Sequence, residues 1–133
     1  MYLIDTDVLS ALRRRHRNPD VVRWIESQRM ADLYISVVTV GEIERGIVQQ
    51  QRQNPDFARD LSGWLDRILD WYGDRILPVD VATARRWGQL SAALGKDNTD
   101  LLIAATALEH GLTVSTRNVR HFEPTGVAVV DLR

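Results

Sequence analysis

Tyr2-Leu3-Ile4-Asp5-Thr6-Asp7-Val8-Leu9-Ser10 stands at the start of the chain, and its reading decides the architecture. Tyr2-Leu3-Ile4 is a short apolar run of the kind that forms a strand buried on both faces. Leu9 and Leu12 then fall at helical spacing, so the chain turns from strand to helix at Asp5 and leaves that carboxylate at the strand's carboxyl end. The same alternation recurs outward from this stretch. Leu33-Tyr34-Ile35 reads as a second strand, followed by a helix from about Thr39 to Gln51. Arg75-Ile76-Leu77-Pro78-Val79, Leu112-Thr113-Val114-Ser115 and Val127-Ala128-Val129-Val130 read as further strands.

Helix signals fill the intervals. Asn18-Pro19 and Asn54-Pro55 pair a capping residue with a proline suited to the first helical position. The first opens a helix with Val21, Val22, Trp24 and Ile25. The second opens one with Phe57, Leu61, Trp64, Leu65, Ile68 and Leu69 near helical spacing, which pairs with its predecessor as a helical hairpin. Asp80 caps a helix containing Ala84, Trp87 and Leu94 that Gly95 ends. Asp100 opens another, Leu101 to His110, closed by Gly111. Short apolar strands alternating with helices predict an α/β fold: a mainly parallel sheet of four or five short strands, helices on both faces, and a binding site at the strands' carboxyl ends.

Length confines this to one domain over residues 1–133, because 133 residues support a single core. No repeat or composition break divides it, and Gln49-Gln50-Gln51-Arg52-Gln53 reads as an exposed helix end. With 44% hydrophobic and 26% charged residues the composition is that of a globular domain, which excludes a disordered chain. No run approaches the roughly 20 apolar residues of a membrane span, and an acid stands where a signal peptide would carry basic residues, so the expected location is the cytoplasm. The absence of cysteine agrees with a reducing compartment and excludes thiolate metal sites and cysteine nucleophiles. Any metal must sit on oxygen or imidazole. A net charge of -1 argues against a wholly basic nucleic-acid binder, yet Lys96 is the only lysine and every other strong cation is arginine, whose planar fork suits phosphate. Arg13-Arg14-Arg15-His16-Arg17 could face an RNA backbone, but a solvated helix end explains the run at least as well.

Asp5, Glu42 and Asp100 are predicted to converge. Asp5 ends the first strand, and Glu42 falls in the first turn of the helix after the second. Asp100 starts a helix that runs antiparallel to the strands, so its first turn lies at the same edge. Each acid also has a local explanation: Thr39-Val40-Gly41-Glu42 fits a capping box, Asp97 and Asp100 suit a helix start, and Asp5 or Asp7 suits an N-cap. Carboxylates sharing a cleft repel by roughly 4 kcal/mol per pair at ~4 Å and an effective dielectric of about 20, so a convergent set needs a cation. Oxygen ligands favour Mg²⁺ or Mn²⁺ over zinc, and such an ion suits phosphodiester hydrolysis. Ser115-Thr116-Arg117-Asn118 follows a strand at the same edge. It could hold phosphate or metal-bound water, or form a turn in which Thr116 or Asn118 caps the next segment.

Four segments together resemble PIN-domain ribonucleases, and among them the VapC and FitB-like toxins of bacterial toxin–antitoxin pairs. They are Leu3 to Ser10, Ile35 to Ile43, Asp100 to Ala107, and Thr116-Arg117-Asn118, in the family's order across nearly the whole chain. The resemblance implies a PIN-like three-layer fold with a protruding helical hairpin. It also implies Asp5, Glu42 and Asp100 as metal-binding catalytic acids, Thr6 and Thr116 as hydroxyls near the metal, and Asn118 as a polar support. It further implies Mg²⁺ or Mn²⁺, cleavage of RNA, a homodimer, and a VapB-like antitoxin through which alone the protein would meet DNA. The chain departs from the pattern where Asp7 replaces an asparagine common in relatives and where His121 stands in place of a fourth acid. Imidazole is a poorer Mg²⁺ ligand than carboxylate, which leaves one or two ions open. Arg117, His121 and Asp97 mark the region where phosphate or a second ion would bind, and a surface role for His121 fits equally.

Two other readings compete. Asp5-Thr6-Asp7-Val8 after a strand also matches the nucleophile motif of haloacid-dehalogenase-like phosphatases, with Lys96 as the required lysine, although Lys96 follows a helix where that family has a strand. A catalytically weakened PIN domain that binds RNA or an antitoxin without cutting is the other.

Overall fold

A computed structural model describes all residues 1–133. Five strands form one sheet: β1 Tyr2–Ile4, β2 Leu33–Ser36, β3 Ile76–Leu77, β4 Thr113–Thr116 and β5 Val129–Asp131, in spatial order β3-β2-β1-β4-β5. Every pairing is parallel, with Tyr2 opposite both Leu33 and Thr113, which settles the expected four or five strands at five. Seven helices surround the sheet: α1 Thr6–Ala11, α2 Pro19–Glu26, α3 Val37–Gln53, α4 Pro55–Tyr72, α5 Val81–Leu94, α6 Thr99–His110 and α7 Val119–Phe122.

Alternation along β1 divides the core into the two layers that a covered parallel sheet requires. Ile4 packs with Val8, Leu9, Leu33, Ile35 and the inner faces of α3 and α4. Leu3 turns the other way, into Ile103, Ala104, Ala107, Val114 and Phe122. Alanines let α6 approach the sheet closely: Ala104, Ala105 and Ala107 are fully buried on it. α3 and α4 form the expected hairpin, joined through the single residue Asn54, whose Oδ1 accepts from the Phe57 N–H at 3.2 Å.

β4 and β5 lie one or two residues further along than the sequence reading placed them, at Thr113–Thr116 and Val129–Asp131, and three other boundaries also differ. α3 starts at Val37, capped by Ser36, whose Oγ accepts from the Val38 N–H at 3.0 Å. Thr39 is therefore inside the helix and Glu42 lies in its second turn, so the Thr39–Glu42 capping box does not form. Asn98 caps α6 by accepting from the Leu101 N–H at 3.3 Å, which leaves Asp100 in the first turn with its carboxylate free for other partners. β3 shrinks to two residues because Pro78 has no N–H to extend the ladder.

Candidate active site

β1, β2 and β4 are neighbours at the centre of the sheet, so whatever follows them gathers at one edge. Asp5 follows β1, and its N–H extends the ladder by donating to the Ser115 carbonyl at 3.0 Å. The Asp5 side chain makes no capping bond to α1. Oδ2 instead accepts from the Thr116 hydroxyl at 2.8 Å, and Thr116 Oγ1 accepts from the Asn118 N–H at 2.8 Å. Asn118 thus meets the site through its backbone N–H.

Asp5 is only 4% exposed. Its carboxyl is pushed up to about 6, first by burial and further by the charges of Asp100 and Asp7. The Thr116 hydroxyl and the Thr6 amide work in the opposite direction. The fold therefore holds a carboxylate under electrostatic pressure that a cation would relieve.

Glu42 is held by hydroxyls. Oε1 accepts from Thr6 Oγ1 at 2.7 Å, and Oε2 accepts from Thr99 Oγ1 at 3.2 Å. Thr6 has one proton, which it gives to Glu42, so Thr39 is the donor in the 2.8 Å Thr39–Thr6 contact. Sequence reasoning does not single out Thr39 or Thr99. Thr99 carries one signal, its place directly before Asp100 at a helix start. Thr39 carries none, because its position suggests capping.

Asp100, partly exposed, lies 2.8 Å through Oδ2 from His121 Nδ1. His121, itself exposed, thus stands against Asp100. Arg117 grips Asp7 with two bonds of 3.0 Å, from Nε and Nη2, and reaches Asn18 Oδ1 at 2.8 Å through Nη1. Asp7 is thus a first-turn acid with a dedicated partner. Lys96 sits in the loop between α5 and α6, in a depression it shares with Leu94, Asn98, Leu101, His121 and Pro124. A bidentate partner on Asp7 and a lysine outside the strand edges do not make the phosphatase arrangement. Asp97 is exposed beside Ser91, Gly95 and Lys96 and bonds to none of the acids.

The convergence expected of the three acids is incomplete. No three carboxylate or imidazole groups stand close enough to hold one ion among them. The reason is visible in their partners: each carboxylate is drawn to its own donor, Thr116, Thr6 with Thr99, or His121. The donor chemistry nevertheless fits a hard divalent ion. Mg²⁺ takes oxygen, is commonly bound through one or two carboxylates and keeps several waters. Asp5 and Asp100 feel each other's charge, and Glu42 is tied to the residue after Asp5 through the Thr6 hydroxyl.

Parallel strands in this order, covered on both faces and carrying acids past the carboxyl ends of β1 and β2, define an acid-edged three-layer α/β domain. Comparison gives the family. The PIN domain model matches residues 2–126. The chain is 31% identical to VapC ribonuclease Y4jK of Sinorhizobium fredii, over 98% of this chain and 96% of that one. It is 36% identical to Toxin FitB of Neisseria gonorrhoeae, over 97% and 96%. The crystal structure of FitAcB from the same organism superposes with a TM-score of 0.87, at 36% identity, covering 99% and 98%. The chain belongs to the PIN domain family.

Proposed function

We propose that this protein is a metal-dependent endoribonuclease and the toxin of a toxin–antitoxin pair. The observation that carries the reading is Asp5: nearly buried, pushed up to about 6, and beside Asp100 in a site made of oxygen donors. Relatives named as a VapC ribonuclease and as a toxin support the substrate class and the biological setting.

Asp5 and Asp100 would hold Mg²⁺ or Mn²⁺, with Glu42 as the third acid. The ion would supply an activated water and charge stabilisation at phosphorus. The remaining work falls to the chain. Thr116 fixes the rotamer of Asp5, and Thr6 and Thr99 fix that of Glu42. Asp5 itself is nearly buried, so its charge acts in a medium less polarisable than water. A VapB-like antitoxin as inhibitor, DNA contact only through it, and a homodimer complete the proposal on the strength of family likeness. No helix is long and apolar enough to cross a membrane.

The decisive experiment compares Asp100→Asn with Asp7→Asn. Purified protein freed of any partner should cleave single-stranded RNA with Mn²⁺ or Mg²⁺. Asp100→Asn should abolish cleavage with an unchanged circular dichroism spectrum, whereas Asp7→Asn, which alters a partly exposed ion pair, should cost far less. Equal loss in both variants would transfer the chemistry to the Asp5–Asp7 pair and sink the nuclease assignment of Asp100.

A further inference from the structure

One residue along the chain from Thr116, the donor to Asp5, begins a cavity of about 380 Å³ walled by Asp7, Ser10, Ala11, Arg13, Arg14, Arg17, Asn18 and Arg117. Four of these side chains are guanidiniums and one is a carboxylate, so the wall carries an excess of three positive charges. Asp7 is already engaged by Arg117. Arg13, Arg14 and Arg17 have no carboxylate partner within ion-pair distance. Arg15, from the same run, does: it turns outward to Glu26.

Backbone geometry accounts for this sorting. α1 continues into a 3₁₀ segment, Leu12–Arg17, that kinks at Arg14, where φ is -122° and ψ is 62°. The kink sends Arg15 one way and leaves Arg13, Arg14 and Arg17 on the cavity. Asn18 braces the bend by donating to the carbonyls of Ala11 at 3.2 Å and Arg14 at 3.0 Å. Arg13 is additionally pinned by α4, its guanidinium lying 4.9 Å from the Phe57 ring and 5.6 Å from the Trp64 ring. Burial and the neighbouring charge of Arg14 lower the Arg13 pKa, and Asp60 is the acid that opposes them. Such clustering of like charge is costly unless an anion offsets it.

We propose that this arginine-walled cavity is a phosphate subsite that holds the RNA backbone on one flank of the scissile bond. Guanidinium forks match phosphate oxygens two at a time, and several on one wall suit a chain of phosphates. Continuity with the acids favours nucleic acid over an acidic protein segment. Arg117 directly follows Thr116, the residue bonded to Asp5, so a backbone bound at Asp5 passes this wall next. The inference rests on RNA as the substrate.

The test uses Arg14→Ala/Arg17→Ala, two exposed positions, with Arg59→Ala/Arg85→Ala as a charge-matched control at residues that do not line the cavity. Binding of a fluorescent single-stranded oligoribonucleotide is measured in the non-cleaving Asp100→Asn background across a salt series. The double variant should bind about tenfold more weakly at 150 mM salt, near 1.4 kcal/mol. The slope of log K against log salt should fall by roughly 1.4, at ~0.7 for each phosphate left unneutralised. The control should bind as the parent does. Unchanged affinity and slope in the cavity variant, with RNA bound and cut by the parent, overturn the subsite alone. A parent that neither binds nor cuts RNA overturns the ribonuclease reading itself. If instead the cavity variant loses a hexaglutamate probe while keeping RNA, the wall serves protein carboxylates and the subsite is refuted.

Discussion

The Thr116 hydroxyl donates to Oδ2 of Asp5 across 2.8 Å, joining the last residue of β4 to the first residue beyond β1. Both are nearly or wholly buried. Thr116→Val keeps the shape and removes the donor, leaving a buried carboxylate with one partner fewer. A loss of about 1–3 kcal/mol follows for a buried group so deprived, and the Asp5 pKa should rise further, because this hydroxyl holds it down. Thermal denaturation at pH 7.5 should show the destabilisation. Titration of the Asp5 carboxyl carbon by nuclear magnetic resonance should show the upward shift. A variant as stable as the parent, with Asp5 unmoved, would mean the contact does not exist in solution.

The raised Asp5 pKa sets how metal-free protein responds to pH. In the unfolded chain the carboxyl titrates near 3.8, and in the fold at about 6. Between those values the folded state holds more proton, so stability falls as pH rises through the window, and above it the full cost stands. About two units correspond to roughly 3 kcal/mol. With chelator present, unfolding by urea should therefore show Asp5 lowering stability between pH 4 and 6. Asp5→Asn should flatten that component and raise the neutral-pH melting temperature by roughly 5 °C or more while abolishing cleavage. An Asp5→Asn protein less stable than the parent at pH 7.5 would contradict the burial argument.

A divalent ion should act most where Asp5 is ionised. Binding to the folded state alone stabilises it, by about 2.7 kcal/mol at a hundredfold excess over Kd. Mn²⁺ should raise the melting temperature clearly at pH 7.5 and much less at pH 5, where the proton competes for Asp5. Differential scanning fluorimetry at the two pH values measures this. Equal shifts at both would locate the ion away from Asp5.

Backbone and side chains differ in how legible they are from sequence. Strand identity along Tyr2–Ile4 and Leu33–Ser36 follows from local apolar runs, and the carboxyl-edge position of Asp5 follows from strand and helix alternation alone. The α3 start misleads because Thr39 and Glu42 have capping-box spacing, while Ser36 three residues earlier captures the helix end. The hydroxyl partners of Glu42 are hidden for a different reason: Thr6 and Thr99 come from two other helices, and no local pattern marks a contact between residues 36 or 57 positions apart. The Arg117–Asp7 fork spans 110 positions and is equally invisible. Full convergence of the acids does not follow from their placement, because sequence position fixes which edge an acid reaches but not the donor it turns toward.

His121 tests how the ion site is completed. Its Nδ1 lies 2.8 Å from Oδ2 of Asp100, and since an ionised carboxylate only accepts, the ring nitrogen donates. The imidazole thus stands where the resemblance implies an acid, and it brings no negative charge toward an ion. His121→Ala removes the ring without adding negative charge. His121→Asp places a second carboxylate against Asp100, a repulsion of roughly 4 kcal/mol at ~4 Å in a dielectric of about 20 that a bound cation removes. The Mn²⁺ concentration for half-maximal RNA cleavage should therefore fall in His121→Asp and change little in His121→Ala. Metal-free His121→Asp should also melt below the parent and recover with Mn²⁺. Asp97→Asn is the control, since Asp97 bonds to none of the acids and should leave the requirement unaltered. An unchanged requirement in His121→Asp, with a raised one in Asp97→Asn, would show that the ion draws its last carboxylate from the α5–α6 loop and that position 121 does not complete the site.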